Sequence, residues 1–134
     1  MLEVLLVSGR PEMFSDLEAV LASDREFSFQ RAADGAAALD YAGRNAPHLV
    51  VADDELEDMS GLELVRRLIE RNVFINTALV SSWSEPEFHE KTEGLGLLAR
   101  VPPQPSPAEA RALLDQLKTI VSRLTGPARA GGST

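Results

Sequence analysis

No cysteine occurs anywhere in the chain, so it forms no disulfide and offers no thiolate to a metal, which fits a reducing compartment. Long apolar runs are missing too. No stretch approaches the ~20 residues a transmembrane helix needs, and the start, MLEVLLVSGRPE, has neither the basic opening nor the cleavage site of a signal peptide. A cytoplasmic protein with no membrane span is the expectation. Positive charge is scarce: 13 Lys and Arg stand against 21 Asp and Glu, for a net charge of -8, and no basic cluster appears. Direct nucleic-acid binding is therefore excluded, because phosphate contacts need a clustered basic surface. The first loop, SGRPEMF, lacks a glycine-rich or hydroxyl-rich phosphate cradle, and no pair of base and nucleophile can be assembled. The chain is not expected to be an enzyme.

What is present is an ordinary globular composition, 44% hydrophobic and 25% charged over 134 residues, enough for a proper core. The organising stretch is PHLVVADDELEDMSGLELVRRL, from Pro47 to Leu68. Leu49, Val50 and Val51 form a short apolar run that suits a strand buried on both faces, and Asp53 arrives where the run ends. Ser60 to Glu63 is a capping box, after which Leu62, Val65, Leu68 and Ile69 recur at helical spacing. Around it the same unit repeats. Val4 to Val7 reads as a first strand, and Pro11 opens a helix with Met13, Leu17, Val20 and Leu21 on its apolar face. Phe27 and Phe29 alternate with polar residues, as in a strand near a sheet edge, and Asp34-Gly35 caps a helix from Ala36 to Asn45. Ile75 to Ser81 and Leu97 to Val101 are the later strands. Ser84 and Ser106 begin two further capping boxes, the second opening a last helix with Leu113, Leu117, Ile120, Val121 and Leu124 inward. From Gly126 onward the residues are small and polar, so the domain is placed at 1–125 and a disordered tail or linker at 126–134.

Strands alternating with helices imply right-handed crossovers and an α/β fold, a doubly wound parallel sheet of the flavodoxin-like order 2-1-3-4-5, with helices on both faces. That order sets the first and third strands side by side. The Ser8-Gly9 loop then faces Asp53.

Pro47, Leu49, Val50, Asp53, Asp58, Met59, Gly61, Leu62 and Glu63 fall in the register of a known family. Over this span, and more loosely from Leu2 to about Leu124, the chain resembles the receiver domain of bacterial two-component response regulators. The resemblance implies that Asp53 is the phosphoacceptor and that Ser81 is the hydroxyl contacting the phosphoryl group. It also implies an acidic pair after the first strand, but Ser8 and Gly9 stand there. Val101 stands at the lysine position and Leu98 at the switch aromatic, while Val101-Pro102 is expected to keep the family's cis peptide. Only Asp53 and backbone carbonyls such as that of Glu55 remain as donors, so Mg²⁺ is expected to bind weakly if it binds at all.

Three function classes stay open: a phosphorylated switch, a degenerate receiver acting through protein contacts, and a flavodoxin-like enzyme or nucleotide binder. The second is preferred, since a phosphoryl group adds about -1.5 to -2 charge beside Asp54 and Glu55 with no lysine to offset it. Its partners would be a histidine kinase or a downstream signalling protein, so that any transcriptional output passes through another protein. A partner or homodimer is expected on the face of the fourth helix, fifth strand and last helix, with Trp83 and Phe88 preferred as an exposed contact over ordinary packing. His48 and His89 are expected to be exposed and without a catalytic part. Arg10, just past Gly9, is the nearest cation that could clasp Asp53 bidentately, the alternative being a side chain pointing into water.

Overall fold

The computed structural model describes the backbone of residues 1–10 and 12–130 and, Pro11 apart, the side chains through residue 123. Strand alternation decides the layering. Along β1, Leu2–Val7, the buried side chains Val4 and Leu6 join one apolar cluster while Leu5 and Val7 join the other. β3, Leu49–Ala52, splits in the same way: Leu49 and Val51 go to the first cluster, Val50 and Ala52 to the second. From Val4 to Val7 and along the whole of β3 the residues are therefore apolar, as residues covered on two faces must be, while Leu2 and Glu3 at the start of β1 are only half-buried.

β2, Phe27–Ala32, lies at the sheet edge as expected, but its exposed residues, Gln30 and Arg31, are consecutive and so point to opposite faces instead of marking one wet face. β4, Asn76–Val80, and β5, Ala99–Val101, complete a parallel sheet of order β2-β1-β3-β4-β5, as expected. One face is covered by α1, Ser15–Ala22, and α5, Pro107–Ala130, through Leu17, Leu21, Leu114 and Leu117. The other is covered by α2, Gly35–Asn45, α3, Gly61–Arg71, and α4, Glu85–Thr92, through Leu39, Leu64, Leu68 and Phe88. Among the described residues no helix is long and apolar enough to cross a membrane.

Four expectations need correction or restriction. α1 starts at Ser15, not at the Pro11 position, because the Met13 N–H bonds back to the Arg10 carbonyl and the resulting turn drops Met13 and Phe14 into the core. Pro11 itself lies outside the described residues. Phe88 is 8% exposed and is no surface contact: it is the one large apolar side chain of α4, and the helix buries it against the second cluster. The Val101-Pro102 peptide is trans, the lower-energy form, and no cis bond occurs among the described residues. The inward placement of Leu124 and the tail of residues 126–134 fall largely on side chains or residues outside the described set, although α5 as bounded runs past Gly126 to Ala130.

Candidate functional site

The register of the sheet builds the site. β1 and β3 pair with Val7 opposite Ala52, so the next residue of each chain segment, Ser8 and Asp53, emerges at the same sheet edge. The Asp53 N–H donates to the Val7 carbonyl at 2.9 Å, fixing where its carboxylate starts. Strand C-terminal edges of this kind are where parallel α/β sheets gather their chemistry.

Asp53 is fully buried, yet both its oxygens are occupied. Its Oδ2 accepts from the Ser8 hydroxyl at 2.7 Å and from Arg10 Nε at 3.0 Å, while Oδ1 accepts from Arg10 Nη2 at 2.5 Å and from the Asp54 N–H at 2.8 Å. Arg10 thus grips the carboxylate with two parallel bonds, the geometry in which a guanidinium binds most specifically. Ser8 serves twice. Its Oγ also accepts the Arg10 N–H at 3.0 Å, so the residue that bonds Asp53 anchors the backbone of the arginine as well. The outer flank of Arg10 is open, with its side chain 53% exposed, and Nη2 reaches Asp54 Oδ1 at 3.2 Å.

These contacts set the charge states. Burial alone would push the Asp53 carboxyl up, but the hydrogen bonds from Arg10 and Ser8 outweigh it and hold the group below the usual carboxylate range. Asp54 moves the other way, pushed up by its partial burial and by the charge of Asp53 beside it. The Arg10 guanidinium is held still more firmly protonated by its bond to Asp53.

The glycine that opens α3 permits the packing under the site. A methyl group on Gly61 would collide with the Asp53 carbonyl oxygen, and the Gly61 N–H donates to the Asp54 carbonyl at 2.8 Å. Asp58 closes the same loop from its far side, its two oxygens accepting the N–H groups of Gly35 and Ala36 at 2.8 and 2.9 Å. It thereby caps α2 from another element. Asp58 was placed in register by sequence but its capping role was not, because nothing local marks a helix cap supplied from a loop more than twenty residues away.

The remaining candidates separate. Ser81 follows directly on β4 at the same sheet edge, almost fully buried, and its Oγ accepts the Trp83 N–H at 2.9 Å, a bond to nearby backbone. Val101 lies in the first core cluster with Leu98 packed against it, so neither faces Asp53. Arg100 turns to the Trp83 carbonyl at 3.4 Å and to Glu85 at 3.7 Å, not to the site. Gly9 is exposed and open, with the Ala33 carbonyl 3.5 Å from where a side chain would begin. His48 and His89 are exposed, and His48 Nδ1 accepts the Glu3 N–H at 3.0 Å. Beside the site a cleft of about 540 Å³ runs between α3 and α4, lined by Asp54, Glu55, Leu62, Ser81, Trp83 and Lys91 among others.

Mg²⁺ favours one or two free carboxylates; at this strand end the Asp53 oxygens accept from Ser8, Arg10 and the Asp54 N–H, and Ser8 and Gly9 bring no charge.

Solved structures of similar shape are numerous. The chemotaxis response regulator CheY4 of Vibrio cholerae superposes with a TM-score of 0.77 at 19% identity, covering 87% of this chain and 98% of its own. The signal receiver domain of an HD domain-containing protein from Pseudomonas fluorescens Pf-5 gives 0.78 at 20% identity, covering 93% of each chain. A CheY-like receiver domain protein from Methanospirillum hungatei JF-1 gives 0.75 at 19% identity, covering 92% of this chain and 95% of that one. Among curated proteins no relative matches the sequence. Such identities speak for the fold alone, but the model of the response regulator receiver domain matches residues 4–102 directly. The chain belongs to the response regulator receiver domain family.

Proposed function

We propose that this receiver domain of two-component signalling is an atypical one, which acts through protein contact while Arg10 holds its phosphoacceptor position closed. The carrying observation is the saturation of Asp53: four donors occupy a carboxylate that offers about four acceptor positions. No lone pair is left for attack on a phosphoryl donor or for a metal. A phosphoryl group would also place about -1.5 to -2 of charge next to Asp54 and Glu55, with Arg10 the only cation on Asp53 among the described residues. Mg²⁺-dependent phosphorylation is then weak or absent. The signal passes to a histidine kinase or a downstream signalling protein, and the face we assign to that contact is the one made by α4, β5 and α5.

A second reading, a phosphorylated switch with Asp53 as acceptor, is favoured by one feature: Asp53 and Ser81 follow directly on adjacent strands at the same sheet edge, and Arg10 is half exposed and free to swing out. Incubation with Mg²⁺ and acetyl phosphate, followed by intact-mass measurement, separates the two. The closed site predicts no phosphoryl adduct. A stoichiometric adduct that disappears in Asp53→Asn would sink the first reading and establish the second.

A further inference from the structure

We propose that the domain pairs with a second copy of itself by exchanging Phe74, each copy seating this ring in an apolar groove of the other. Phe74 and its neighbour Val73 are 86% and 70% exposed, two adjacent large apolar side chains on the short connection between α3 and β4. That connection is held. The Asn72 side chain accepts the Phe74 N–H at 2.9 Å and the Asn72 carbonyl accepts the Ile75 N–H at 3.3 Å, so the backbone that presents the ring is held before docking.

The receiving groove, about 710 Å³, lies at the same end of the molecule between the approach to β5 and the outer face of α5. Leu97 and Leu98 line it from one side, Ala112, Thr119 and Ile120 from the other, and Asp115 stands on its wall. Asn76 lines the groove only two residues beyond Phe74, yet the turn carries the ring outward, so the groove is not filled from within its own chain.

Two features select a second copy as the occupant. Knob and groove lie on one end of one molecule, so a two-fold axis between copies lets both insertions occur at once, the self-complementary arrangement a symmetric dimer requires. Charge agrees. Arg71, the last residue of α3, stands beside the knob and Asp115 beside the groove; both are exposed, and among the described residues neither has an ion-pair partner. Reciprocal insertion brings Arg71 of each copy toward Asp115 of the other, whereas any other partner would have to supply a ring, a groove and both charges separately.

This inference rests on the protein-contact reading and adds a second copy of the chain to its partners, and the two fail separately. Sedimentation of the full chain between about 1 μM and 1 mM, the span of weak to moderate association, should show a monomer–dimer equilibrium. Phe74→Glu should weaken it by about tenfold or more with unchanged circular dichroism. Arg71→Glu and Asp115→Arg should each weaken it, and the double variant should recover toward the parent, which a folding defect could not do. A chain that stays monomeric throughout overturns the proposal, as does a dimer indifferent to Phe74→Glu or a double variant as weak as the single ones. Phosphodonor labelling of the same samples reports on Asp53 alone, so a labelled dimer would refute the closed site and leave the pairing intact.

Discussion

At the residue scale everything turns on which cation Asp53 meets. A buried carboxylate without a partner would be protonated, since burial disfavours its charge; with Arg10 and Ser8 on it the group stays ionised. Arg10→Ala should therefore move the Asp53 titration upward, because the variant loses the strongest of the contacts that favour the charged carboxylate. Carboxyl ¹³C NMR reads this directly, and an unmoved Asp53 would show that Arg10 contributes nothing to its charge. The stability loss should be modest, about 1 kcal/mol, since Arg10 is half exposed and two other donors remain on the carboxylate. Its pH dependence has a definite sign. The folded value of Asp53 lies below the unfolded one of about 3.9, so its contribution is fully present above that pH and fades as pH falls through the folded value. Asp54, raised in the fold, opposes folding when ionised, and that penalty is relieved as pH falls through its folded value. The parent should lose more stability than Arg10→Ala on acidification below about pH 4, measured by urea unfolding at several pH values.

At the element scale the chain is most legible where structure is local. Ser60, Ser84 and Ser106 each accept the N–H three residues on, as their capping boxes promise, and in α5 the box is reciprocal, with the Ser106 N–H donating to Glu109 at 2.9 Å. Ser106→Ala should cost about 1 kcal/mol of stability by chemical unfolding. Where tertiary contacts decide, local pattern misleads. Pro11 looks like a helix start, yet the chain turns first so that Ser8 can anchor the Arg10 backbone and Met13 and Phe14 can reach the core. Phe88 looks like surface because its helix is polar, but a single large apolar residue on such a helix is the one that gets buried. The left-handed Ala46 that ends α2, at φ 46°, carries no sequence mark at all, since glycine would be the usual choice there. Ala46→Gly should stabilise the domain by up to about 1 kcal/mol, the relief of that backbone strain offset by the entropy of a freer unfolded chain. A thermal midpoint that falls on this change would place the strain elsewhere.

At the scale of the whole molecule, the two apolar layers follow from strand alternation, and neither contains a residue of the Ser8-Gly9-Arg10 loop. The register Val7↔Ala52 delivers residues 8 and 53 to one edge whatever their chemistry. That separation of scaffold from site makes the proposed closure to metal testable by reconstruction. Gly9 has room for a side chain, its nearest neighbour lying at ordinary contact distance, and Ser8 already points at Asp53. A Ser8→Asp, Gly9→Asp, Arg10→Ala variant should fold as the parent does but crowd three carboxylates at the edge, lowering its stability in the absence of a divalent cation. Mg²⁺ should then reverse the loss, by about 1.4 kcal/mol once its concentration is tenfold above the dissociation constant, and leave the parent unmoved. Thermal unfolding of both proteins with and without millimolar-range Mg²⁺ reads the difference. If the parent is stabilised as much as the variant, Arg10 does not close the site to metal; if the variant gains nothing, the edge geometry itself, not the identity of residues 8 to 10, keeps the cation out.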